Sequence, residues 1–295
     1  MSEKLKQHGV LNLLKPPGMT SHDAVAFVRR VLKNKRVGHT GTLDPAAAGV
    51  LPICVGQATR LVEDLQAGTK EYLAEATFGY ETDTLDQCGL TIRECDASSL
   101  TLEMLTAVLE KFRGDIEQTP PMYSAIKIDG KKLYELAREG KEIEIPTRRV
   151  NISALSVTQF ESGERPKAFL KVECSSGTYI RSLVRDIGNE LGLAATMTFL
   201  VRTRSGDFEL ERAVTPQEFG GYEQLESFDS VLENCGFDVV VDDAKMVDLA
   251  MGKSVVGEQE NRVYKKSDDT VYALCALDSR RRGFLKPDKV FDLRK

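Results

Sequence analysis

The sequence predicts an α+β protein: a mixed, largely antiparallel β-sheet flanked by helices, with a small β-rich unit at the C-terminus. Three observations predict it. Residues 70–80 and 168–174 alternate apolar and polar side chains with period two, the pattern of strands with one solvated face. Residues 20–32 and 180–191 space their apolar side chains by three and four, the pattern of helices lying on a core. Residues 238–292 hold several short apolar runs around a single helical pattern. A chain of 295 residues, 41% hydrophobic and 29% charged, has room for one large domain or two unequal ones.

In chain order, residues 10–14 form a short apolar strand stopped by Lys15-Pro16-Pro17-Gly18, a rigid turn. Thr20 opens a helix, with Asp23 three residues on to complete a capping box. Ala24, Val25, Val28, Val31 and Leu32 give that helix its apolar face. Its basic end (Arg29, Arg30, Lys33, Lys35, Arg36) complements the helix dipole, and its place before a glycine-rich loop favours a phosphate-facing role. Residues 53–65 read as a short strand and a helix start. In the strand at 70–80, Tyr72, Ala74, Ala76 and Phe78 share a face. Residues 102–112 form a helix with Leu102, Leu105, Val108, Leu109 and Phe112 inward, ended by Gly114.

Residues 118–150 read as an insertion rich in proline, tyrosine and charge, with a helical stretch within 131–140. It suits a polyanion-gripping arm or a plain surface excursion equally well. Strands follow at 150–160 and 167–174. Ser175-Ser176-Gly177-Thr178 turns into a helix with Ile180, Leu183, Val184, Ile187 and Leu191 inward, stopped by Gly192. Another strand covers residues 199–206, after which the chain is acidic and less periodic to about 237. A closing unit on the order of 55 residues is small for independent stability, so it is expected to dock on the main domain.

The formal net charge is −5, but it is patterned. Residues 1–40 carry eight Lys/Arg against two Asp/Glu, residues 216–260 two against eleven, and residues 261–295 ten against five. These runs fit solvated helix faces or local polyanion binding. The six cysteines are far apart and form no C-x-x-C, and there are three histidines, so neither a zinc site nor disulfides are expected. The cysteines read as mostly buried small apolar residues. No apolar run reaches a membrane span, and no signal segment is present, so a cytoplasmic protein is expected.

One stretch resists a bland reading. GHTGTLDPAAAGVLP, residues 38–52, holds one acid, Asp44, among glycine, alanine and threonine. Gly38, Gly41 and Gly49 allow tight turns and a close partner, and Pro45 biases Asp44 away from helical geometry. An isolated Asp-Pro is a turn. The length of this run points instead to a lone carboxylate presented on a stiff loop. Tyr72, taken alone, reads as packing. Arg181, in the first turn of its helix, is electrostatically disfavoured unless a carboxylate or phosphate pairs with it; a surface arginine is the plain alternative. The acidic residues 81–89 lack the spacing of a calcium loop, so no metal is expected there.

LLKPPGMTSHDAV, GHTGTLDPAAAGVLP, KEYLAEATFG, PPMYSAIKIDGKKLYELAREG and VECSSGTYIRSL, in this order, closely resemble bacterial tRNA pseudouridine synthases of the TruB family. The resemblance covers residues 9–213. The C-terminal unit resembles, more weakly, the family's PUA-like RNA-binding domain. The resemblance implies a pseudouridine synthase fold with a catalytic domain over 1–236, an RNA-clamping insertion at 118–150 and a PUA-like domain over 237–295. It implies isomerisation of the uridine at position 55 in the T-arm loop of tRNA, by a monomer that needs no cofactor, metal or protein partner. It assigns Asp44 as the catalytic carboxylate, Arg181 as its ionic partner, and Tyr72 as the tyrosine that stacks on the flipped base and assists removal of the C5 proton. It places His39 in the gap left by the flipped nucleotide, Tyr179 and Leu200 against the base, and Lys15 with Pro16 behind the catalytic loop. Asp44 could attack C1′, add to the base, or stabilise charge while a glycal forms. A guide-RNA-dependent synthase and a tRNA-folding chaperone with secondary catalysis are the rival readings. The acidic block at 216–260 is expected to face away from RNA.

Overall fold

The computed structural model describes residues 7–124, 126–128, 131–133, 144–259 and 261–294. In chain order its elements are β1 (Gly9–Lys15), α1 (Ser21–Leu32), β2 (Val37–His39), β3 (Ala48–Val55), a 3-10 helix (Gly56–Leu61), α2 (Val62–Ala67), β4 (Lys70–Phe78), β5 (Tyr80–Thr82) and β6 (Thr91–Glu94). Next come α3 (Leu102–Leu109), β7 (Gly114–Gln118), the short pair β8 (Lys127–Ile128) and β9 (Lys131–Lys132), β10 (Arg148–Glu161), β11 (Lys167–Cys174), α4 (Ile180–Glu190), β12 (Ala195–Ser205) and β13 (Phe208–Glu209). The chain closes with α5 (Phe228–Asn234), β14 (Asp238–Val241), α6 (Asp243–Leu249), β15 (Val255–Val256), β16 (Arg262–Lys265), β17 (Val271–Leu277) and β18 (Phe284–Asp292). Two compact units emerge: residues 1–44, 50–68 and 206–295 form the first, and residues 45–49 and 69–205 the second.

In the first unit β1 is buried on both faces, with Asn12 the polar residue in the middle of its apolar run. It pairs with β3, which also pairs antiparallel with β2, setting His39 opposite Ile53. α1 starts at the expected capping box: Asp23 N–H donates to Thr20 Oγ1 (3.0 Å), and Thr20 N–H donates to Asp23 Oδ2 (3.0 Å). The C-terminal strands form one sheet in the order β14-β16-β17-β18-β15. Its inner residues Tyr272 and Phe291 share a core with Val10, Leu61, Phe208 and the α5 residues Phe228 and Leu232. Phe228 packs edge-on against both aromatic rings, at 5.1 and 5.0 Å between centroids. A smaller aliphatic core of Met246, Leu249, Val255 and Leu285 lies beneath α6. The closing strands therefore bury their apolar side on both ends of the chain, as the size of that segment demands. His8 fastens the two termini: Gln57 N–H donates to its Nδ1 (3.1 Å), and its Nε2 bonds the Leu293 carbonyl (2.9 Å).

The second unit is an antiparallel sheet in the order β12-β4-β11-β10-β7. The first residues of β3 add a parallel contact, Ala48 with Val201 and Gly49 with Arg202. Gly49 is needed there, because a Cβ would sit 2.2 Å from the Arg202 carbonyl oxygen and φ is +117°. α4 packs Ile180, Leu183, Val184 and Ile187 inward.

The main departures from expectation are local. Leu102 is exposed and Phe112 half-buried, because α3 ends at Leu109 and only Leu105 and Leu109 are buried along it. Cys88 and Cys95 are exposed and Cys235 half-buried, so only three of the six cysteines behave as core residues. The strand expected from residue 199 begins at Ala195, and the acidic stretch hides the helix α5. The helical pattern expected within 131–140 falls largely outside the described residues. Among the described residues no helix is long and apolar enough to cross a membrane, and no His/Cys/Asp/Glu cluster could hold a metal ion.

Candidate active site

The seven residues singled out from the sequence divide between the units. Lys15, His39 and Asp44 lie in the first; Tyr72, Tyr179, Arg181 and Leu200 lie in the second.

In the first unit, Lys15 ends β1 fully buried, and its Nζ donates to the carbonyls of Pro16 (3.0 Å) and Met19 (2.7 Å). The lysine thus ties the proline turn closed. Asp44 is half-buried in the irregular segment between β2 and β3, just before a turn at Pro45. The residue before it is clamped: Leu43 N–H donates to Ser21 Oγ (2.9 Å), and Ser21 Oγ donates back to the Leu43 carbonyl (3.1 Å). The first turn of α1 therefore sets where Asp44 stands, and Ser21 was not legible as a site residue. Upstream, Thr40 N–H donates to the Pro52 carbonyl (3.1 Å). Gly41 N–H donates to His39 Nδ1 (3.2 Å), which puts the proton of the neutral ring on Nε2. The His39 ring meets His22 edge-on at 5.8 Å. The basic end of α1, favoured above as phosphate-facing, is in part structural: Arg29 Nη2 donates to the Val37 carbonyl (2.9 Å) and holds the entry to β2.

In the second unit, Tyr72 is buried on the inner face of β4, opposite Val172 of β11 and Arg202 of β12. Leu200 lies opposite Ala74 and is also buried. Two cations that sequence reasoning passed over share this face. Arg202 is 2% exposed and Lys70 4%. Burial, with Arg202 and then Arg204 nearby, pushes the Lys70 ammonium down to about 8, while the Cys174 thiol works the other way.

Arg181 is the second residue of α4 and is buried. Its Nη1 donates to the Thr84 carbonyl (2.9 Å) and its Nη2 to the Tyr123 carbonyl (3.0 Å). Within this unit the carboxylate beside it is Asp86, with Oδ2 3.8 Å from Nη1. Asp86 Oδ1 accepts from Thr84 Oγ1 (2.7 Å) and from Cys88 N–H (2.9 Å), which turns Oδ2 toward the guanidinium. The signal for Asp86 was its acidic loop, weighed above only as a metal site. Tyr179 caps α4, and its main chain is clasped by a buried amide: its N–H donates to Gln118 Oε1 (2.7 Å), and Gln118 Nε2 donates to its carbonyl (3.0 Å).

The units thus offer an aspartate of set position in one and a tyrosine, a leucine and cations on one sheet face in the other. Known proteins give that combination a context. Residues 29–180 match the TruB family pseudouridylate synthase (N terminal domain), and residues 181–235 match the tRNA pseudouridylate synthase B C-terminal domain. The tRNA pseudouridine synthase B of Symbiobacterium thermophilum is 57% identical over 210 residues, 71% of this chain and 70% of that one. The enzyme of that name from Caldanaerobacter subterraneus is 50% identical over 210 residues, covering 71% and 73%. Among solved structures, a chain of the Cbf5-Nop10-Gar1 complex superposes with a TM-score of 0.71 at 26% identity, over 99% of this chain and 87% of that chain. That match spans the β-rich C-terminal strands as well as the main sheet, and it bears out the pseudouridine synthase fold with a PUA-like end. On sequence and on fold, the chain belongs to the TruB family of pseudouridylate synthases.

Proposed function

We propose that this protein, a tRNA pseudouridine synthase by family, isomerises the uridine at position 55 in the T-arm loop, with Asp44 as its catalytic carboxylate. The observation that carries the assignment is the two-way bond between Ser21 and Leu43, which fixes the backbone beside Asp44 before substrate arrives. In the reaction the N1–C1′ bond breaks, the uracil turns over, and C5 bonds to the same C1′. Atoms and electrons balance within the nucleotide, so the chemistry asks for an activated carboxylate and an enclosed base rather than an external group.

The uridine has to leave its stack for any side chain to reach C1′. Tyr72 stacks on the flipped uracil and assists loss of the C5 proton. Tyr179 and Leu200 line the base, and His39 fills the vacated gap. Arg181 is the ionic partner of Asp44, and its Nη1 also faces Asp86 at 3.8 Å. Lys15, spent on two backbone carbonyls, supports the loop and is assigned a supporting role. The catalytic domain spans 1–236 and the PUA-like domain 237–295, and the enzyme acts in the cytoplasm as a monomer without a protein partner.

One experiment tests this reading. The purified protein alone, mixed with unmodified tRNA, forms pseudouridine at the T-loop uridine when modified positions are mapped. Absence of product there sinks the proposal, and product only after adding a guide RNA transfers it to the guide-dependent class.

A further inference from the structure

Arg148 opens β10 opposite Gln118, the residue whose amide clasps Tyr179. Its guanidinium carbon lies 4.5 Å from the centre of the Tyr179 ring. Its Nη1 runs along Gly177, where a Cβ would come within 3.2 Å and where φ is +85°. Its Nε and Nη2 are shielded from solvent and, among the described residues, have no hydrogen-bond partner. The next residue resolves its charge in the ordinary way: Arg149 Nη2 lies 2.7 Å from Asp115 Oδ2. Asn151 Nδ2 takes the other oxygen of that carboxylate. A guanidinium edge stripped of both water and acceptor is costly to keep. Nε and Nη2 are also the edge that takes two anionic oxygens side by side.

We propose that Arg148 is a positioning residue of the pseudouridylation site, whose face fixes the Tyr179 ring and whose Nε–Nη2 edge takes two oxygens of an RNA phosphodiester when substrate binds. The first half rests on Tyr179 lining the base pocket; the second stands on Arg148 alone. The arriving phosphate gives that edge the acceptors it lacks among the described residues. The same contact then presses Tyr179 against the base.

The test uses the full-length protein and an unmodified T-arm stem–loop transcript. Arg148→Met lowers affinity roughly 10- to 100-fold and flattens the log–log salt dependence of binding by about 0.7 to 0.9, the share of one phosphate. Its thermal unfolding midpoint does not fall. Arg148→Lys keeps the salt slope but loses single-turnover rate at saturating RNA, since an ammonium neither forks nor lies flat on a ring. A wild-type salt slope in Arg148→Met overturns the phosphate contact. A lowered unfolding midpoint with that unchanged slope makes Arg148 a structural residue and overturns the proposal as a whole. Tyr179→Leu, run beside them, separates the two readings. An unchanged saturating rate there removes Tyr179 from the base pocket while leaving the Arg148 salt slope to be judged by itself.

Discussion

The two faces of the sheet made by β4, β11 and β12 differ in how far their charged groups are exposed, and bulges at 197–199 and 202–204 interrupt the alternation in β12. On the outer face charges meet across strands: Lys167 with Glu75 at 3.4 Å, Lys171 with Glu71 at 3.1 Å, Arg204 with Glu173 at 3.1 Å. Thr198 and Thr203 donate to the same glutamates, Glu75 and Glu71, at 2.6 and 2.8 Å. On the inner face Lys70 and Arg202 are buried beside Tyr72 and Leu200. Period-two geometry in β4 and β11 gives one sheet a solvated face and a buried face. The outer ladder of pairs stabilises weakly and keeps the open face soluble. On the inner face the cations are withdrawn from water, and for Lys70 that burial lowers the pKa.

Substitutions can break or sharpen this contrast. The largest effect is expected at the proposed catalytic aspartate: Asp44→Asn keeps tRNA binding and loses about a thousandfold or more in single-turnover rate. A rate within tenfold of wild type removes Asp44 from the chemistry. Tyr72→Leu comes next, with a rate loss of about a hundredfold or more, the range of a lost acid–base group. Circular dichroism should show the fold intact, and a rate loss matched by unfolding would reduce Tyr72 to packing.

Lys70 gives a pH signature. Its ammonium titrates near 10.5 in an unfolded chain and at about 8 in the fold. The unfolded state thus binds more protons between those values, and the penalty is full below them. Stability therefore rises with pH across that window by up to about 1.4 kcal/mol per unit, and urea melts of Lys70→Met lack that rise. Equal slopes in the two proteins would mean Lys70 is not desolvated. The smallest effect lies outside: a double-mutant cycle on Glu71 and Lys171 returns about 0.2–1 kcal/mol, shrinking in high salt, with activity unchanged. Lost activity in Glu71→Gln would mean the faces are not separate.

Local chemistry was legible. The α1 capping box needs only Thr20 and Asp23, and the alternation in β4 and β11 survives because each strand is long enough to show its period. β5, β6, β15 and β16 run for two to four residues, too short for a period to register. α5 buries Phe228, Val231 and Leu232 at helical spacing, but the surrounding acids masked it. Lys70 shows a different failure. The alternation of β4 puts it on the face of Tyr72, and its charge argued for solvent; the geometry won. Asp86 went unread because its partner Arg181 is remote in sequence and its loop had been weighed for metal alone. The role of Asp44 came from family resemblance, since a glycine-rich Asp-Pro loop by itself is a turn.

The first unit has a consequence for synthesis. The ribosome releases residues from the N-terminus onward, at about 5–20 per second. Every residue of the second unit has been synthesised once residue 205 has been added. The core around Val10, Val50 and Leu61 must wait for Phe228, Tyr272 and Phe291. His8 waits longest, for the carbonyl of Leu293. Through most of translation the nascent chain carries an unfinished apolar surface at its oldest end. A stop codon that removes only the last strands would leave that surface permanently open, far in sequence from the lesion.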